Sequence, residues 1–147
     1  MTGKQICQKN YVKLIQFWVG SWEFLFIKIE EERIKPNFFS IVADVIYNEE
    51  ITNAFMDVLQ ILVDLFCQNG VVIYVALEKR LWTNNEGQII TPSFDVFSKR
   101  LKKFVQNNSQ KCCSASQLPL NFPHIFKDYY ARVEELVLFK IDCKKSM

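Results

Sequence analysis

Residues 38–80 read FFSIVADVIYNEEITNAFMDVLQILVDLFCQNGVVIYVALEKR, and the hydrophobic period changes twice within them. Phe38 to Tyr47 is a nearly continuous apolar run ending in an acid and an aromatic, a pattern that suits a strand buried on both faces, as in a parallel sheet. From Glu49 to Phe66 the spacing becomes helical: Ile51, Ala54, Phe55, Val58, Leu59, Leu62 and Phe66 share one face. Gln68-Asn69-Gly70 stops that helix, and Val71 to Leu77 is a second continuous apolar strand followed at once by Glu78-Lys79-Arg80. Strand, amphipathic helix and strand in this order predict a βαβ unit with parallel strands.

Downstream, Trp82 to Thr91 reads as a polar loop containing Asn84-Asn85-Glu86-Gly87. Pro92 opens a helix with Phe94, Phe97, Leu101, Phe104 and Val105 at helical spacing, and its other face carries Lys99, Arg100, Lys102 and Lys103. That face is either a basic patch or an ordinary solvated surface. Asn107 to Gln117 is polar, a loop with a short strand at its end, and Phe122-Pro123-His124-Ile125-Phe126 is a turn-bearing approach to a final strand at Val133 to Asp142. Upstream, Tyr11 to Val19 and Trp22 to Ile29 look like strands separated by Gly20-Ser21, and Glu30 to Pro36 is a charged connector. The order β-β-β-α-β-α-β predicts an α/β chain whose parallel part lies between residues 38 and 105.

Composition bounds the function classes. The chain has 147 residues, half of them apolar and 13 of them Phe, so it can bury enough surface to fold as one domain. A net charge of +2 gives no electrostatic footprint for wholesale nucleic-acid binding. The five cysteines are scattered, and Cys67 and Cys143 sit in apolar stretches where a free thiol packs as a small hydrophobe. With no hydrophobic secretory core after Met1, that usage points to a reducing compartment. Zinc is not expected, because Cys112-Cys113 lacks the spacer of a zinc knuckle and His124 is the only histidine. No stretch approaches the roughly 18 uncharged apolar residues of a membrane span, so no membrane partner is expected.

In open α/β sheets, ligands bind beyond the carboxyl ends of the strands. Asp44 lies near the end of the first buried strand, Tyr47 follows it, and Glu78 directly follows the second. If these strands are neighbours, the three residues converge on one rim, where a carboxylate can hold a cationic group or accept a proton. The plainer alternative is that Asp44 and Glu49 favour the next helix's N-terminus and that Glu78-Lys79-Arg80 is a polar strand exit. His124, beside Pro123 in an apolar stretch, gives poor support for a Ser/His/Asp or Cys/His arrangement. Gly3, Gly20, Gly70 and Gly87 are all isolated, so no phosphate-cradling loop is present.

The stretch Ser40 to Asp64 resembles the seven-strand, S-adenosylmethionine-dependent protein-lysine methyltransferases, whose hallmark is an acid-x-x-Tyr motif after the fourth strand, met here by Asp44-Val45-Ile46-Tyr47. Val75 to Leu81 is similar to the fifth-strand exit of one branch of that family, and the tail from Phe122-Pro123 to Leu136–Ile141 resembles its closing segment. Ile6 to Asn10 resembles the helix before the third strand, and Trp18 the tryptophan that follows that strand beside the cofactor, although Gln16 or Phe17 stands where an acid is usual.

The resemblance implies an α/β, partial Rossmann-like class I methyltransferase fold made of the third to seventh strands. Its sheet would be mostly parallel with an antiparallel C-terminal end, and residues 1–147 would form one incomplete domain, the C-terminal half, without the first strands and the Gly-rich loop. It implies methyl transfer from S-adenosylmethionine to a lysine of a protein substrate, with Asp44 holding the lysine nitrogen, Tyr47 lining the slot, Glu78 assisting and Trp18 beside the cofactor. It further implies a nuclear or cytoplasmic location, a nuclear nucleic-acid-associated protein as substrate, no direct nucleic-acid binding, and a chain that alone binds cofactor poorly and is inactive. Two other classes stand beside it. One is a non-catalytic interaction module that self-associates or pairs through a fourth strand left unpaired by the missing first. The other is a nucleic-acid binder using Lys99 to Lys103.

Overall fold

Asn48 marks the change from strand to helix. In the computed structural model its side chain accepts a hydrogen bond from the Ile51 backbone N–H at 2.8 Å, and Glu49 and Glu50 occupy the first turn, where acids favour the helix dipole. The structure describes residues 11–19, 22–30, 38–43, 45–121, 123 and 133–144. Their elements are β1 (Tyr11–Val19), β2 (Trp22–Glu30), β3 (Phe38–Ala43), α1 (Glu49–Phe66), β4 (Val71–Glu78), β5 (Trp82–Thr83), β6 (Ile89–Ile90), α2 (Pro92–Asn107), a single 3-10 turn (Ser109–Lys111), β7 (Ser114–Leu118) and β8 (Leu136–Cys143).

The described residues are α/β, with two α-helices and a mixed four-stranded sheet in the order β3-β4-β8-β7. β3 and β4 are neighbours and parallel, in a register that sets Phe38 opposite Val71 and Ala43 opposite Ala76. β8, the last of the described strands, lies between β4 and β7 and runs antiparallel to both. The sequence pattern therefore located the βαβ unit, both of its strands and the limits of α1. The final strand is shifted to begin at Leu136.

One face of the sheet carries the core. Val42, Val71, Ile73, Val75, Leu77, Val137, Ile141 and Cys143 are buried against Phe55, Val58, Leu59, Leu62 and Val63 of α1 and Phe97, Leu101 and Phe104 of α2. Phe97 meets Phe139 edge to face at 5.4 Å between ring centroids, an arrangement that aligns the positive rim of one ring with the negative face of the other. The helices are also tied by their amides: Gln60 Nε2 donates to Asn108 Oδ1 at 3.1 Å, and Asn108 Nδ2 returns a bond to Gln60 Oε1 at 2.8 Å.

Four features depart from the sequence expectation. β3 ends at Ala43 rather than Tyr47, and it is not covered on both faces: Ser40 and Val42 are buried while Ile41 is 54% exposed. Its inward residues alone face the α1–α2 core, so the unbroken apolar run overstated the burial. Trp82 to Thr91 is not a plain loop but the hairpin β5–β6, antiparallel with Trp82 opposite Ile90. Cys143 is not a free thiol. It is joined to Cys113, because the β7–β8 register that pairs Ser114 with Asp142 brings the next two residues face to face. Finally, the sheet is mixed rather than mostly parallel: among the described strands only β3–β4 pair in parallel, while β1 and β2 pair antiparallel as a hairpin, with β2 Cα atoms within 8 Å of β3.

Candidate functional site

The carboxyl ends of β3 and β4 form one rim because the two strands are parallel neighbours. β4 runs past the end of β3, and Glu78 closes it, exposed and opposite Leu136. From β3 the chain passes through Val45 and the buried Ile46 to Tyr47, which is 43% exposed, before Asn48 starts α1. The Ser93 hydroxyl, near the start of α2, donates to the Tyr47 carbonyl at 2.8 Å and fixes this crossing.

Two cations leave β4 over aromatic rings. The Arg80 guanidinium carbon is 4.4 Å from the Tyr47 ring centroid, and Lys79 Nζ is 4.5 Å from that of Phe94. Both distances lie within the range at which the ring quadrupole attracts a cation. The Lys79 backbone N–H donates to the Glu135 carbonyl at 3.0 Å, drawing the turn before β8 to the β4 exit. Glu78, Lys79, Arg80, Leu81, Trp82 and Glu135 line a cleft of about 430 Å³ at this place. The rim thus combines carboxylates, an exposed aromatic surface and two cations held against rings, a set that can hold and orient a charged side chain.

Of the residues singled out by sequence, Tyr47 and Glu78 lie on this rim. The Arg80 contact brings Tyr47 against the same strand exit that carries Glu78. Asp44 lies outside the described residues, as do the side chain of Trp18 and His124; the Trp18 backbone stands in β1 opposite Glu23. Trp82 and Glu135 were not foreseen. The signal for Trp82 was present in two short β-prone pairs flanking Asn84 and Gly87, whereas Glu135 reaches the cleft only through the β4–β8 pairing.

The basic face of α2 lines a different groove, between α1 and α2, where Lys99, Arg100, Lys102 and Lys103 are interspersed with Glu49 and Asp95. Among the described residues, no group of three His, Cys, Asp or Glu is placed to hold a metal ion. No described helix is long and apolar enough to cross a membrane. No family model, no curated protein and no solved structure matches this chain.

Proposed function

We propose that this chain is the C-terminal, lysine-presenting part of a seven-strand protein-lysine methyltransferase with a Rossmann-like class I fold, of the branch represented by methyltransferase-like protein 22. The observation that carries this reading is the parallel β3–β4 pair. With β3 and β4 parallel neighbours, Tyr47 and Glu78 follow the carboxyl ends of the two strands, and the antiparallel β8 is the kind of C-terminal end the resemblance implies. The antiparallel β1–β2 hairpin is the main departure from the family pattern.

S-adenosylmethionine, when bound, would supply the methyl group. The described residues do not form a cradle for it. Gly70, with φ 91, serves the turn before β4 at the opposite end of the sheet, and Gly87, with φ 78, sits in the β5–β6 turn with open space around it. The share of this chain is to bind and orient the target amine, with Asp44 and Glu78 as carboxylate partners of the ammonium and Tyr47 as a wall of the slot.

The test begins with sequencing the transcript upstream of the Met1 codon. An in-frame glycine-rich loop is expected, and the longer product should methylate protein lysine from labelled S-adenosylmethionine. Asp44→Asn should abolish that transfer while cofactor affinity is kept. A transcript without the loop, whose product transfers no methyl group, overturns the reading. Micromolar binding of S-adenosylmethionine by the 147-residue chain alone would overturn the half-domain assignment. The interaction-module reading draws on β3 being terminal in the hydrogen-bonded sheet among the described strands, and a clean monomer by light scattering would count against self-association there.

A further inference from the structure

The basic face of α2 carries charge that the fold leaves uncompensated. Lys99, Arg100, Lys102 and Lys103 crowd the middle of the helix, and no basic residue occupies its last turn, where the helix dipole would favour one. Lys99 with Lys102, Lys99 with Lys103 and Arg100 with Lys103 are like charges at helical neighbour spacing, which works against the helix. None of the four is held in an ion pair with a described carboxylate, unlike Lys111, paired with Asp64, and Lys140, paired with Asp142. The nearby acids are otherwise engaged. Asp95 stands four residues before Lys99 yet accepts the Thr91 hydroxyl at 3.2 Å, and Asp95 and Glu49 both sit in the first turns of their helices, where acids complement the dipole.

The four cations line a groove of about 890 Å³ between the helices, against two carboxylates, Glu49 and Asp95, which leaves an excess of two positive charges. At the β4 exit, by contrast, Lys79 and Arg80 are balanced by Glu78 and Glu135, and both cations lie over rings. Arg100, Lys103 and Asn107 also line a smaller cavity of about 220 Å³, which one carboxylate, Asp57, adjoins. Arg100 is half-buried, and its Nε is shut off from solvent and donates to nothing. A guanidinium that has lost part of its water without gaining an acceptor carries a desolvation cost, which an anion at its outer nitrogens would offset. The cavity is also held at a fixed width. Gln60 and Asn108 exchange amide hydrogen bonds across the two helices, and Asn108 Nδ2 donates to the Phe104 carbonyl at 2.9 Å. Helices locked at one spacing place Arg100 and Lys103 before a ligand arrives.

We infer that the α1–α2 groove binds the phosphate group of a small phosphorylated molecule. The phosphate is seated in the smaller cavity against Arg100 and Lys103, with Asn107 as a further donor, and the rest of the ligand lies along the larger groove beside Lys99 and Lys102. A phosphate carries close to two negative charges, about the excess the groove presents, and its oxygens accept the fork of an arginine together with a lysine. This site is separate from the β4 rim and does not rest on the methyltransferase reading.

The experiment is isothermal titration calorimetry of the full chain with pyrophosphate, beside acetate, at an ionic strength held constant with potassium chloride. Pyrophosphate should bind saturably and at least about tenfold more tightly than acetate. Arg100→Gln should weaken it about tenfold, and Arg100→Lys should not restore it, because a point charge lacks the planar fork. Lys103→Gln, at an exposed position, should weaken it about fivefold and decides the matter if Arg100→Gln fails to fold. Lys140→Gln, outside the groove, should leave the affinity unchanged. Heat that does not saturate, equal binding of acetate, or an affinity unmoved by Arg100→Gln or Lys103→Gln in variants with native melting curves overturns the proposal. So does a short single-stranded oligonucleotide that binds more tightly than pyrophosphate and is released steeply by salt, since the occupant would then be a nucleic-acid backbone.

Discussion

The two ends of β4 are built on opposite principles. At its amino end Val71 is fully buried, paired with an equally buried Cys143, and that cysteine is bonded to Cys113 across the β7–β8 register. At its carboxyl end Glu78 is exposed, and the chain continues into Arg80 over Tyr47 and then into the outward-facing Trp82. One strand thus runs from a sealed, apolar, covalently stapled end to a rim of charges and aromatic rings. Groups that stabilise the fold are concentrated where water is excluded, and groups able to recognise a ligand are held at the surface by rings and turns rather than by burial.

The sharpest way to break this comparison is through the core that seals β4. Phe97 is fully buried and packs edge to face on Phe139. Phe97→Ala removes its apolar burial and leaves a cavity, so it should cost roughly 3–5 kcal/mol, read from the urea midpoint. That is a large part of the total of about 5–15 kcal/mol that a domain of this kind possesses. A loss under about 1 kcal/mol would mean that the α2 face is not part of a packed interior.

The staple comes next. Cys113 and Cys143 are 30 residues apart in sequence. Closing a loop of that size in the unfolded chain contributes about 3.6 kcal/mol in the chain-entropy account. The Cys113→Ser/Cys143→Ser double variant should fall by about that amount, with Cys7, Cys67 and Cys112 as its remaining cysteines. An unchanged urea midpoint, together with four or more titratable thiols in the unreduced protein, would show that this end is sealed by packing alone.

How far these two ends were legible in the sequence differs for a physical reason. The sealed end follows from period and composition: the apolar spacing of Glu49 to Phe66 and the run from Val71 carry the helix, the strand and the core face by themselves. What the sequence did not reveal there was Cys113 beside Cys143, since a cross-strand pair depends on the β7–β8 register, which no local pattern encodes. The rim was half legible. Tyr47 and Glu78 were found because strand ends in open α/β sheets mark ligand sites. Trp82 was read as loop because strands of two residues give no period, and Glu135 was invisible because it is brought to the cleft by antiparallel pairing with a distant strand.

Between the ends lies a smaller flaw that sharpens the contrast. Ser40 on β3 and Thr52 on α1 are fully buried, and neither hydroxyl has a hydrogen-bond partner. A buried hydroxyl with no partner carries its desolvation penalty uncompensated, so removing it is favourable when the shape is kept. Ser40→Ala and Thr52→Val should each raise stability by about 1 kcal/mol, measured by thermal melting. If either lowers stability, the hydroxyl is satisfied in solution and this side of the sheet is wetter than its burial indicates.

The smallest effect is expected where the comparison is most exposed to failure. Trp82 is the largest apolar side chain on the hairpin, yet with 61% of its surface in water it contributes little to burial. The hairpin is held instead by the Asn84 side chain and the backbone bonds among Asn84, Gly87 and Gln88. Trp82→Ala should therefore change global stability by no more than about 0.5 kcal/mol, as for surface substitutions away from packed features. A loss of several times that size would show that the ring packs as a structural element. The carboxyl end of β4 would then be sealed in the same manner as the amino end, and the exposed apolar surface could not be spent on a partner without unfolding cost. An unchanged melting curve leaves the ring free for binding, because a side chain that does not stabilise the fold can be buried against a ligand without disturbing it.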